Sequence, residues 1–239
     1  MIKTVFAFFV VGLSMIILMP IGLVLFVISL LGLRKSMARL ICLVAQGWGR
    51  FVFWCTGCTL TVEGRENIPK KGGVCFVSNH ESIFDIVLLL ALIPRLVGFI
   101  AKKELMMIPF LNIWILLLGG LSIDRGNPRK AVATIRNGAN HIRNGAGIMI
   151  FPEGHRSKGR GLLPFHAGSF KLATLSGAPI VPVAIRGSYE VFEKTYRVVP
   201  GPIRVVFGKP IPTEGLPPDE RRTELSEQVR TIIAEALAR

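Results

Sequence analysis

Thirty consecutive positions, Thr4 to Leu33, carry no charged residue. A helix of that length extends roughly 45 Å, against about 30 Å for the hydrocarbon core of a bilayer. The segment is therefore long for a simple span and has to tilt or bend. Pro20, with Gly12 and Gly22 on either side, supplies a place to bend. Arg34, Lys35 and Arg39 follow at once, and then a second apolar stretch runs from about Leu40 to Cys58. Gln46 and Arg50 interrupt it, and Trp48 and Trp54 lie on it, a pattern that suits the lipid–water interface. Two arrangements stay open: residues 4–33 cross the bilayer once, or the two segments form a kinked helical hairpin in one leaflet. A secretory signal fits poorly, because the apolar run is too long and no small-residue cleavage site ends it.

Beyond Cys58 the pattern changes to short β-rich runs alternating with helical stretches. Strands are expected at 60–63, 74–78, 97–101, 121–124, 148–151, 180–185 and 203–207. Helices are expected near 83–92, 110–118, 128–144 and 168–176, with a last one from about 218 to 237. This alternation predicts an α/β fold, a largely parallel sheet flanked by helices, behind an N-terminal two-helix membrane anchor. The boundary is placed between residues 1–58, the anchor, and 59–239, the α/β catalytic domain.

Charge adds a second constraint. Lysine and arginine exceed aspartate and glutamate by 29 to 15, a net +14 spread along the chain. Such a balance suits an anionic membrane face or a phosphate-bearing substrate. No nucleic-acid recognition motif accompanies it, so nucleic acid is excluded as a partner. Cys55 and Cys58 have the spacing of half a zinc site, but no second Cys/His pair completes a cage, and no metal is expected. The thiols read as unpaired residues of a reducing compartment.

The candidate chemistry sits where strands end. After the run 74–78 stands Asn79-His80-Glu81-Ser82-Ile83-Phe84-Asp85. An aspartate five residues after a histidine can fold back onto one imidazole nitrogen and leave the other free to take a proton from an alcohol. Taken alone, the pattern fits equally well an Asp85 that caps the next helix and a His80 that merely packs there. Lys102 and Lys103 end the third run, and Ile123-Asp124-Arg125 ends the fourth; cations in such places can hold phosphate. After the fifth run comes Phe151-Pro152-Glu153-Gly154-His155-Arg156-Ser157. Arg156 can grip phosphate in two-pronged fashion, and Glu153 can orient it or bond a substrate hydroxyl. The segment Ala178-Pro179-Ile180-Val181-Pro182-Val183 reads as a buried strand. No Gly-x-Ser-x-Gly elbow is present, and Ser82 reads as a loop-stabilising hydroxyl and Ser169 as a helix cap; a covalent acyl-enzyme stays as the nearest mechanistic rival, which a trapped acyl-serine would support.

These four blocks, in this order and spacing from about Leu60 to Phe207, resemble the glycerolipid acyltransferase family, specifically its bacterial 1-acylglycerol-3-phosphate acyltransferases. The resemblance implies direct acyl transfer from acyl-CoA or acyl carrier protein to a lysophospholipid, with no cofactor and no metal. It implies His80 as general base and Asp85 as its orienter. It also implies Lys102, Arg125 and Arg156 as phosphate-binding residues, with Lys103 a second choice, and Glu153 and Gly154 shaping that pocket. The expected place is the bacterial inner membrane, with the catalytic domain on the cytoplasmic side. His155 occupies the variable position of the third block. Related members act on lyso-ornithine lipid or other lysophospholipids. A non-catalytic lipid-binding protein would explain the anchor and the charge but not the paired His80 and Asp85.

Overall fold

The computed structural model describes residues 2–124, 126–215 and 222–239. Two long helices open the chain, α1 (Ile2–Ile28) and α2 (Arg34–Thr56). The α/β body follows as β1 (Thr59–Glu63), β2 (Val74–Ser78), α3 (Phe84–Leu92), β3 (Val97–Lys102), α4 (Leu111–Leu118), β4 (Leu121–Ile123), α5 (Pro128–Arg143) and β5 (Gly147–Ile150). It ends with α6 (Lys171–Ser176), β6 (Ile180–Arg186), α7 (Ser188–Val191), β7 (Pro202–Phe207) and α8 (Arg222–Ala238). All seven expected strands form, each within about a residue of its expected limits. The helix expected from 168 starts instead as a 3₁₀ turn over Ala167–Phe170, and α7 was not anticipated.

The strands make a single sheet in the order β1-β7-β6-β2-β5-β3-β4. Every neighbouring pair is parallel except β6 with β7. The fold is therefore α/β with a largely parallel sheet, as the strand–helix alternation predicts. Parallel sheets bury both faces, and β2 and β5 are accordingly buried throughout, as is β6 up to Arg186. Val74 and Phe76 pack on one side with Leu88, Leu89 and Leu92 of α3. Cys75 and Val77 pack on the other with Leu172 of α6 and Val229 of α8. Burial pushes the Cys75 thiol up to about 12, so it stays protonated and inert.

The two apolar helices form a hairpin. The chain runs through Pro20 without ending α1 and reverses at Gly32, where φ is 81°. Proline removes one hydrogen bond from a helix, but a reversal needs a left-handed residue, which glycine adopts without strain. Trp48 Nε1 donates to Ser14 Oγ at 3.1 Å across the pair. The hairpin lies along the body rather than standing clear of it. At one end the Val198 amide donates to Thr4 Oγ1. At the other, Arg34 Nε donates to the Leu117 carbonyl at the C-terminus of α4, where a cation also meets the helix dipole.

Gln46 and Arg50 of α2 both reach the end of α3, Gln46 from a buried position and Arg50 from an exposed one. Gln46 Nε2 donates to the Ile93 carbonyl at 2.7 Å and Arg50 Nε to that of Ala91 at 3.4 Å, closing the last turn of α3. Trp48 is held by Ser14, and only Trp54, 75% exposed, keeps the expected outward position. The outer surface of α1 exposes Phe6, Phe9, Ile16, Ile17 and Val24.

Helices α2 and α3 approach closely at Gly49, where a Cβ would stand 2.9 Å from the Val87 carbonyl oxygen and the Ala91 nitrogen. Both are backbone atoms and cannot swing aside. Gly47, two residues earlier, has open space around its Cβ position. Gly49→Ala is therefore expected to lower thermal stability in detergent by about 1–3 kcal/mol through overpacking. Gly47→Ala is expected to hold or raise it by up to about 1 kcal/mol through helix propensity. Equal behaviour of the two variants would refute the close packing of these helices.

Candidate active site

Strands β6, β2, β5, β3 and β4 all point the same way, so their C-terminal ends share one edge of the sheet. Ligand sites in open α/β sheets form at that edge. The expected residues fall along it in strand order: His80 and Asp85 after β2, Glu153 and Arg156 after β5, Lys102 at the end of β3 and Asp124 after β4. Two strand spacings separate β2 from β3, about 10 Å.

The backbone leaving β2 is fixed before His80 is reached. Asn79, 2% exposed, uses both ends of its side-chain amide on Ile185 of β6: Nδ2 donates to the carbonyl and Oδ1 accepts from the amide, each at 2.8 Å. A side chain thus continues the β2–β6 ladder by one step. His80 itself is held by the loop after β5. Its amide donates to Glu153 Oε1 at 3.1 Å, and its carbonyl accepts from the Ser157 amide at 2.7 Å. The imidazole stacks on Phe151 with ring centroids 4.1 Å apart.

Asp85 stands in the first turn of α3, fully buried. Its Oδ2 lies 2.7 Å from His80 Nδ1 and accepts from the amides of Glu81 at 2.8 Å and Ser82 at 2.9 Å. Its Oδ1 accepts from Ser188 Oγ at 2.5 Å. Asp85 therefore gathers the turn ahead of the helix and meets the imidazole with the same oxygen. A carboxylate on Nδ1 fixes the proton there and leaves Nε2 unprotonated. The His80 side chain keeps 15% of its surface, so the ring is reachable.

Two further carboxyl groups flank the pair. Glu153 is 1% exposed, and no hydrogen bond reaches its Oε2 among the described residues. Burial pushes its carboxyl up to about 7, opposed by the His80 amide and reinforced by the charges of Asp85 and Glu81. Glu81 is also pushed up to about 7, by burial first and by Asp85 second, despite amide donation from Gly187. Ser188 Oγ sits 3.3 Å from Glu81 Oε2 as well as close to Asp85. Having one proton, the hydroxyl gives it to Asp85 and can accept one from a protonated Glu81.

The cations divide into two places. Arg156 Nη1 donates to Glu193 Oε1 at 2.9 Å, with its side chain 37% exposed. Glu193 is 8% exposed, accepts from Ser82 Oγ at 2.6 Å and from the Ile83 amide at 2.8 Å, and so touches the His80–Asp85 turn as well. Lys102 lines an open cavity of about 240 Å³ together with Lys103, Glu104, Ile123, Asp124 and Gly126. Lys103 Nζ is paired with Asp124 Oδ2 at 3.0 Å, which leaves Lys102 the better placed of the two for a ligand. Arg125 lies outside the described residues. Gly154 takes φ 74° in the loop after β5, a value that favours glycine, and His155 is exposed. No cluster of His, Cys, Asp and Glu able to hold a metal occurs among the described residues.

Ser188 and Glu193 did not emerge from the sequence. Both follow β6, more than 100 residues from Ser82 and Asp85, and no local spacing marks them.

Known proteins resemble the chain over most of its length. A family profile described as Acyltransferase matches residues 59–186. The chain is 36% identical over 168 residues to the 1-acyl-sn-glycerol-3-phosphate acyltransferase of Cocos nucifera, covering 70% of this chain and 54% of that one. The chain thus spans about half the length of that plant relative. It is 34% identical over 182 residues to the Escherichia coli (strain K12) protein of the same name, covering 75% and 74% of the two chains. The crystal structure of the 1-acyl-sn-glycerophosphate (LPA) acyltransferase PlsC from Thermotoga maritima superposes with a TM-score of 0.82. It shares 27% identity and covers 98% of this chain and 93% of its own.

The raised carboxyls give a pH test. In the folded state Glu153 keeps its proton up to about pH 7, whereas in the unfolded chain it releases it near the ordinary 4.5. Its contribution to stability is complete below the lower value and is lost as pH rises through the higher one. Glu153→Gln mimics the protonated form at every pH. The variant and the wild type should therefore melt together near about pH 4.5, with the variant the more stable at about pH 8. A variant advantage that grows on acidification would contradict the assignment.

Proposed function

The chain belongs to the acyltransferase family, and on that premise we propose that it transfers a fatty acyl chain to the sn-2 hydroxyl of 1-acylglycerol-3-phosphate, giving phosphatidic acid. The observation that carries the proposal is the His80–Asp85 pair, 2.7 Å apart and reachable at the sheet edge, in the same row as Arg156 and Lys102. The acyl donor is acyl-CoA or acyl carrier protein, and the reaction takes no cofactor and no metal.

The steps follow from the geometry. His80 Nε2 removes the proton from the acceptor hydroxyl as its oxygen bonds the thioester carbonyl carbon. Asp85 stabilises the imidazolium that results. Negative charge gathers on the carbonyl oxygen, where preorganised donors contribute most in acyl transfer; we assign that part to backbone amides of the edge loops. The carbon–sulfur bond then breaks, and the thiolate recovers the proton from His80. Arg156, Lys102 and Arg125 hold the acceptor phosphate, within a pocket shaped by Glu153 and Gly154.

Residues 1–58 act as the anchor. A hairpin that lies along the body, apolar on its outer surface, supports insertion into one leaflet over a single crossing. We place it in the bacterial inner membrane with the catalytic body on the cytoplasmic side. There a lysolipid dissolved in two dimensions offers its headgroup beside the base.

Supplied with lysophosphatidic acid and acyl-CoA, the protein should release thiol. His80→Ala should lower kcat by about 10²–10⁴-fold, the usual contribution of a general base, while vesicle binding persists. Turnover equal to wild type would remove His80 from that role. Arg156→Ala should raise the acceptor KM by about tenfold, the effect of losing one charge-assisted contact. That rise should be absent for a phosphate-free acceptor such as lyso-ornithine lipid. A rise common to both acceptors would show that the arginine does not read the phosphate.

A further inference from the structure

Glu193 lies beyond the residues that the family profile matches, yet its carboxylate joins two loops of the site. Oε2 accepts from Ser82 in the His80–Asp85 turn, while Oε1 accepts from Ile83 in that same turn and from Arg156 in the loop after β5. A group present only to satisfy the buried donors of one turn has no reason also to bind Arg156, whose side chain is 37% exposed. By holding Nη1, the carboxylate ties the guanidinium to that turn.

The segment bearing Glu193 is itself fastened to the membrane helix. The ring of Phe192 meets Phe8 of α1 edge-on at 5.1 Å, and Phe84 and Tyr196 at 6.4 and 6.0 Å. The Val198 amide donates to Thr4 Oγ1 at 3.1 Å. Anchor, Phe192, Glu193 and Arg156 thus form one continuous line of contacts that ends at the solvent-facing cation.

We infer that Glu193 is a positioning residue for the lysolipid acceptor: it locks Arg156 at a fixed distance from the turn that carries His80. Phosphate grip and base are then set to the span between a headgroup phosphate and the hydroxyl to be acylated. This rests on the acyl-transfer reading above. The acyl donor makes no use of that spacing.

Steady-state kinetics with lysophosphatidic acid and acyl-CoA test it. Glu193→Ala should raise the acceptor KM about tenfold and lower kcat, leaving the donor KM unchanged. Glu193→Gln should recover most of the acceptor KM. Its amide oxygen can still accept from Ile83 and Arg156, and its amide nitrogen can donate to Ser82 Oγ. In an Arg156→Ala background, Glu193→Ala should add little to the acceptor KM, the signature of two residues acting as one unit. An unmoved acceptor KM in Glu193→Ala overturns the inference. So does a loss shared with the donor KM, or one that simply adds to that of Arg156→Ala, since either marks a structural role alone. Wild-type protein without turnover would instead overturn the function reading, and this one with it.

Discussion

A single buried carboxylate governs the arrangement. Asp85 has no exposed surface and would be costly to keep ionised in that position without compensation. Two backbone amides, the Ser188 hydroxyl and the His80 ring meet it. The same four contacts that satisfy the charge also shape the turn, begin α3 and aim the imidazole. The geometry of the proposed site and the local fold are therefore built from the same contacts.

Around that centre, negative charge is rationed by burial. Glu81 and Glu153 lie close enough to Asp85 to feel its charge, and both are pushed to about 7. Asp85 is the best supplied with hydrogen-bond donors, while Glu81 and Glu153 hold their protons further into the neutral range. The cations sit one and two strands away on the same edge, held by Glu193 or lining the cavity at β3 and β4. A parallel sheet supplies the ordering, because it brings the ends of distant segments side by side.

The sheet was legible in the sequence because its strands are runs of β-branched and apolar residues bounded by Gly, Pro and charged positions. Val74–Ser78 and Ile180–Arg186 are clear instances. His80 and Asp85 were legible because five residues of local chain bring them together. What escaped was long-range. Asn79 extends a ladder with Ile185, Ser188 bonds Asp85 and Glu193 reaches Ser82, each across more than 100 residues, and Glu193 meets Arg156 across 37. The partners of Gln46 and Arg50 escaped for the same reason. On an apolar segment those two residues look interfacial, and nothing nearby reveals that the carbonyls they serve belong to α3.

That service has a practical corollary for anyone wishing to handle the protein without detergent. The carbonyls of Ala91 and Ile93 end the helix that starts at the Asp85 turn, and their donors come from α2. Deleting the apolar pair would strip those donors away and bare the surface of α3 that meets Gly49. A water-soluble version would thus have to keep both helices and repaint only their exposed apolar side, starting with Phe6, Phe9, Ile16 and Ile17.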